Sequence, residues 1–149
     1  MIILGLLLFP FMVPATSPVS WSFNAAAADD GKVLVSFIAQ VEPGWHIYAI
    51  DLPNEEGPLP TEFRLQQSDA YTIVVPVTEP EPMEEYDPNF ATTVRHHSGT
   101  PRFTMLVERT SETAFPVKGE VEYMVCNDRT CLPPVVVPFT IEVAPHQPK

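Results

Sequence analysis

Eighteen prolines are spread along 149 residues, more than twice the usual share of about 5%. Proline lacks the N–H that a helix interior requires and its ring clashes with the preceding turn, so this density leaves little room for long helices. It suits short strands joined by shaped loops. The hydrophobic pattern points the same way. From Lys32 to Val41 the residues Val33, Val35, Phe37, Ala39 and Val41 line one face, with Ser36 and Gln40 on the other. Residues 19–23 and Arg102–Arg109 alternate similarly, residues 45–50 read as a third strand, and shorter runs fall at 61–65 and 71–75. Glu42-Pro43-Gly44 is a turn signal, residues 25–31 are turn-like, and residues 51–60 form a Pro/Gly-rich loop. Residues 76–89 read as irregular and acidic, and His96 and His97 fall in a polar loop before Ser98-Gly99, where a solvated pair is expected. About eight short strands and no convincing helix predict an all-β, antiparallel β-sandwich.

The length supports one core. The net charge of −11 argues against nucleic acid or an anionic membrane surface as partner and keeps the domain soluble. Residues 2–13 are almost wholly apolar but shorter than the roughly 20 residues a bilayer span needs, and Val13-Pro14-Ala15 fits a signal-peptidase site. The expectation is a secretory leader over residues 1–15 and a single domain over 16–149, with no stable membrane insertion once the leader is removed. Export would place the cysteines in an oxidising compartment.

Those two cysteines sit in the segment V-E-Y-M-V-C-N-D-R-T-C-L-P-P, residues 121–134. Strand-like runs at 119–126 and Val135–Val143 flank the polar tetrapeptide Asn127, Asp128, Arg129, Thr130, which suggests a hairpin. If the strands pair directly, Cys126 and Cys131 face each other as the last cross-strand pair, within disulfide range. A bridge is expected. Closing so short a ring stabilises by only about 2 kcal/mol in the chain-entropy model. Pro133 and Pro134 must interrupt pairing just past Cys131, leaving its sulfur near an irregular edge that a partner thiol could reach. The residues alone leave a structural staple and a redox-active pair open. A zinc site would need two more ligands, and the adjacent His96 and His97 cannot easily aim both rings at one ion.

Three segments together, Glu42-Pro43-Gly44-Trp45-His46-Ile47-Tyr48, Gly57-Pro58-Leu59-Pro60-Thr61 and Tyr123 to Pro134 with its C-N-D-R-T-C-L-P-P, resemble the N-terminal domain of the thiol:disulfide interchange protein DsbD, over about residues 21–143. The resemblance implies an immunoglobulin-like sandwich in the bacterial periplasm whose Cys pair takes electrons from a thioredoxin-like domain and hands them to oxidised partners, as a protein-disulfide reductase type of component. It implies that Cys131 forms the mixed disulfide and Cys126 resolves it. It also implies that residues 86–90 act as a cap loop, with Tyr86, Asp87 and above all Phe90 shielding the sulfurs. Better-known members carry one more residue between the cysteines. They also continue into membrane-embedded and thioredoxin-like domains, so a chain like this one is expected to draw electrons from a membrane donor on a separate chain.

Other residues are candidates for tuning the thiols. Tyr48 and Tyr123 are strand aromatics, with core packing as the plainer alternative. Glu122 shares by alternation a face with Met124 and Cys126, against the alternative of an ordinary exposed strand Glu. Arg129 would favour a thiolate, and Asp128 beside it would oppose one. His46 is expected as a ring packed at a sheet end rather than a proton shuttle. No cofactor is implied: no Gly-rich phosphate loop, Ser/His/Asp constellation or metal-ligand spacing appears. Two rivals remain, a non-catalytic immunoglobulin-like binding module whose bridge pins a hairpin, and a copper-handling sandwich using His and Met, for which no cluster at fixed spacing is visible.

Overall fold

Alternating runs become strands wherever one face can be buried, and among the described residues they form eleven. The computed structural model describes residues 16–148, so the expected leader over residues 1–15 lies outside the described residues. In chain order the strands are β1 (Val19–Ala27), β2 (Lys32–Val41), β3 (His46–Tyr48), β4 (Glu62–Leu65), β5 (Tyr71–Thr78), β6 (Met83–Asp87), β7 (Thr92–His97), β8 (Arg102–Arg109), β9 (Phe115–Tyr123), β10 (Val125–Cys126) and β11 (Val135–Val143). A single 3-10 turn, Asp29–Gly31, joins β1 to β2, and no α-helix occurs among the described residues.

The strands form three antiparallel sheets, ordered β1-β2-β8-β5, β10-β3-β7-β6 and β11-β9-β4. The inner face of the first packs against the other two, giving an immunoglobulin-like sandwich. Its core holds Val33, Val35, Phe37 and Ala39 from β2, Phe103, Met105 and Val107 from β8, and Val117, Phe139 and Ile141 from β9 and β11. Trp21, Phe23, Phe37, Phe63 and Phe139 interlock across the layers, with ring centroids 4.8–6.3 Å apart. Gly44, at φ +84°, makes the reversal between β2 and β3 at a backbone angle that a side chain would strain.

Several expectations need correction. Residues 76–89 are not irregular throughout: β5 continues to Thr78, and Met83–Asp87 is a strand on the edge of the second sheet. Pro76 fits within β5 because β5 is the edge of its sheet, where a missing N–H is tolerated, and Pro80 and Pro82 fall between the two strands. Residues 25–31 are not all turn, since β1 runs to Ala27. His96 and His97 are not a solvated loop pair. They end β7 with 4% and 5% exposure, and a partner carboxylate meets Nε2 of each ring (His96 Nε2 to Glu85 Oε1 at 2.6 Å, His97 Nε2 to Glu79 Oε2 at 2.9 Å), while His96 Nδ1 is buried without a partner.

Candidate functional site

The cysteine hairpin does not run straight to its tip. The β9–β11 ladder ends at Tyr123 paired with Val135. There the chain leaves the third sheet, and Val125 and Cys126 join the second, opposite Ile47 and His46 of β3. The cysteines still face each other across an isolated antiparallel bridge, Cα atoms 4.1 Å apart, and are joined by a disulfide with S–S 2.03 Å. Pairing fails at Pro133 and Pro134 and resumes at Val135. Asn127 shapes the intervening loop: its Oδ1 accepts from the N–H groups of Arg129 and Thr130 at 2.9 and 2.8 Å, and its own N–H donates to the Thr130 carbonyl at 2.9 Å.

The two sulfur-bearing residues differ in burial. Cys126 is fully buried, whereas Cys131 is partly exposed. Cys126 forms a small cluster with Tyr48 and Val94, on which Leu52, Phe90, Met124 and Cys131 pack. The segment over this cluster is the β6–β7 turn. Phe90 sets its ring edge-on to Tyr48, centroids 6.0 Å apart. The Asn89 side-chain amide donates to the Asn127 carbonyl at 2.8 Å, tying the turn to the loop between the cysteines. Asp87 accepts the Tyr48 hydroxyl on Oδ2 at 2.5 Å and the Asn89 N–H on Oδ1 at 2.8 Å. Ala91, just past Phe90, holds φ +53°, a conformation costly for a residue with a Cβ.

Beneath the turn lies a titratable group of side chains. His46 Nε2 is 3.3 Å from the Tyr48 hydroxyl and 3.7 Å from Asp87 Oδ2, and its ring centroid is 4.5 Å from that of His96. Burial pushes the Tyr48 phenol far above its ordinary range, reinforced by the hydrogen bond to Asp87 and its charge. Burial, then the neighbouring His96, lowers His46, and Asp87 and Glu85 only partly oppose this. Among the described residues no group of three or more His, Cys, Asp or Glu is arranged to hold a metal ion.

The residues singled out from sequence therefore separate. Cys126, Cys131, Phe90, Asp87 and Tyr48 come together. Tyr86 lies beside them in sequence, but it is 64% exposed and is not among the residues packed on the Cys126 cluster. Tyr123 is buried in the main core against Trp21. The expected face shared by Glu122 and Cys126 is broken at Met124, where the chain changes sheets. Glu122 instead takes Arg64 Nη2 at 2.8 Å, beside Glu120 at Arg64 Nε and Glu62 at Nη1. Arg129 is exposed in the loop. His46, expected only as a packed ring, lies directly across from Cys126, and Asn89 was not singled out. The W-H-I-Y alternation could have placed His46 on the Tyr48 face, but nothing local signals the strand switch that brings Cys126 beside it.

These features define an immunoglobulin-like β-sandwich with a short-loop disulfide at a sheet edge, packed under a neighbouring turn. The family model described as "Thiol:disulfide interchange protein DsbD, N-terminal" matches residues 15–142. The chain belongs to this family. Comparison with curated proteins returns no match. Among solved structures, the reduced DsbD N-terminal domain of Neisseria meningitidis is similar at 20% identity and TM-score 0.53, covering 85% of this chain and 90% of that one. The N-terminal periplasmic domain of ScsB from Proteus mirabilis is similar at 17% identity and TM-score 0.56, covering 88% of this chain and 48% of that one. A chain from the complex between the DsbD N-terminal and PilB N-terminal domains of N. meningitidis is similar at 15% identity and TM-score 0.55, covering 93% and 96%. No helix among the described residues is long and apolar enough to cross a membrane.

Proposed function

We propose that this domain relays electrons through the Cys126–Cys131 pair between thioredoxin-like proteins in the bacterial periplasm, after export and removal of a leader over residues 1–15. The reading draws its strongest support from the unequal burial of the two bonded cysteines: Cys126 is sealed and Cys131 is partly exposed beneath Phe90. A staple gains nothing from that asymmetry, whereas exchange needs one attackable sulfur and one held in reserve.

A donor thiolate attacks Cys131 Sγ, the S–S bond breaks, and Cys126 departs with the bonding electron pair. The donor's second thiol then displaces Cys131, leaving the dithiol here. In the second half, the Cys131 thiolate attacks an acceptor disulfide, and Cys126 attacks Cys131 Sγ to release the acceptor with two electrons and to re-form the bridge. Phe90 shields the bridge, Asp87 and Asn89 hold the turn that carries it, and Tyr48 supports that turn from below. The electrons reach the thioredoxin-like donor from a membrane-embedded electron donor. The similarity to a DsbD N-terminal domain solved in complex with another protein domain supports docking on this fold.

A Cys126→Ala variant tests the assignment. Mixed with an oxidised thioredoxin-like protein, it is expected to stall as a mixed disulfide through Cys131, while Cys131→Ala gives none. Equal trapping by both variants, or by neither, would overturn it.

A further inference from the structure

Cys126 cannot resolve a mixed disulfide as a thiol. It must lose its proton inside a fully buried cluster, where solvent is not at hand to take it. We propose that His46 is the general base that takes this proton. The inference rests on the exchange reading above.

Two geometric observations carry it. The first is register. His46 and Cys126 are direct cross-strand partners in β3 and β10, so their side chains share a face with Cβ atoms about 5 Å apart. Tyr48, two residues on, belongs to the same face and to the Cys126 cluster. The second is the direction of the hydrogen bonds. The single Tyr48 hydroxyl hydrogen is given to Asp87 Oδ2, so toward His46 the Tyr48 oxygen can only accept. His46 Nε2 must then carry the hydrogen at that 3.3 Å contact, and Nδ1 is left as the basic nitrogen.

The neighbours suit the task. The groups facing His46 are Tyr48 on its own strand, Asp87 and Glu85 on β6, His96 on β7 and Cys126 on β10. Tyr48 is no rival base, because its proton is held by burial and by Asp87. Asp87 already accepts two hydrogen bonds, from Tyr48 and the Asn89 N–H. Burial and His96 keep His46 neutral near pH 7, so it is ready to accept a proton. Once protonated, it has the Asp87 carboxylate 3.7 Å away. The step balances: the Cys126 proton moves to His46 Nδ1, and Cys126 Sγ attacks Cys131 Sγ. The Cys131–partner bond breaks, and the partner leaves as a thiolate with the electron pair. In the reverse direction the imidazolium returns the proton to Cys126.

The test is rapid mixing of the reduced protein with oxidised glutathione, following adduct formation at Cys131 and the subsequent release of glutathione separately from pH 5 to pH 10. In the native protein, glutathione release should lose rate only below about pH 6.5, rather than below the ordinary thiol range near pH 8.5. His46→Gln should slow release at least about tenfold at pH 7 and leave adduct formation unchanged, and the two proteins should converge near pH 10. His96→Gln removes the neighbour that opposes protonation of His46 and should move the acid limb to higher pH. A native limb near pH 8.5 overturns the proposal without any variant. So does a His46→Gln protein that releases glutathione at the native rate, or one slowed equally at every pH. If no adduct forms at Cys131, the exchange reading falls and this inference with it; an adduct that resolves independently of His46 removes this inference alone.

Discussion

The Tyr48 hydroxyl donates to Asp87 Oδ2 at 2.5 Å, and this bond ties the strand beside Cys126 to the foot of the turn whose Phe90 packs on the Cys126 cluster. Both partners are buried, Tyr48 fully and Asp87 to 3% exposure. A buried carboxylate stripped of its shortest hydrogen bond keeps the cost of its desolvation. Tyr48→Phe should therefore destabilise the domain by about 1–3 kcal/mol, read as a lower denaturant midpoint at unchanged slope.

The turn itself is held lightly. One side-chain bond, Asn89 to the Asn127 carbonyl, and the packing of Phe90 fix it against the cysteine loop, while Ala91 holds a costly backbone angle. Asn89→Ala should cost about 1 kcal/mol of stability or less, yet speed reduction of the bridge by dithiothreitol several-fold. Phe90→Ala should speed it further. Reduction rates equal to the native rate in both variants would show that the turn does not guard the sulfurs.

How much of this was legible in the sequence depended on how local the cause was. Lys32–Val41 and Arg102–Arg109 are read correctly because each buries one complete face, so the period survives in the residues. The Cys126–Cys131 bridge is read correctly because a short polar loop between two strand-formers has few geometries. His96 is misread because its burial depends on Glu85 from a different strand, eleven residues away. Glu122 is an ordinary strand Glu, and only the face it was expected to share with Cys126 fails, because alternation holds only while a strand stays in one sheet and this chain changes sheets at Met124.

Glu122 belongs to a surface cluster around Arg64, whose guanidinium is held above its ordinary range first by the hydrogen bond to Glu122 and then by that to Glu120. Glu122→Gln should leave the bridge's reduction potential and exchange rates unchanged and alter stability by about 1 kcal/mol at most.

Gly119 lies at the centre of the β11-β9-β4 sheet, opposite Phe139 and Leu65. A Cβ there would collide with the Arg64 carbonyl and lie 2.8 Å from Phe139 Cζ. Backbone cannot step aside cheaply. Gly119→Ala should destabilise by about 1–3 kcal/mol or more, seen as a lower melting temperature with the bridge intact.

Acid should act through two groups of opposite kind. In Glu79 burial favours the neutral form, but the His97 hydrogen bond and the N–H groups of Ile50 and Asp51 outweigh it and leave the carboxyl below its ordinary range. Its stabilisation is complete above the ordinary carboxylate range and is lost as pH falls through the depressed folded value. His46 is also lowered, so below about pH 6.5 the unfolded chain binds a proton that the fold resists. Stability should therefore begin to fall below about pH 6.5 and fall again in the carboxylate range. Urea midpoints from pH 8 to pH 3 should show both declines, the first absent in His46→Gln and the second reduced in Glu79→Gln.

The reduction potential of the Cys126–Cys131 couple, equilibrated against glutathione or dithiothreitol buffers, bears most directly on whether this bridge is exchanged. A carrier between thioredoxin-like proteins should fall between about −180 and −270 mV. A value well below about −300 mV would mark a structural staple and contradict the relay.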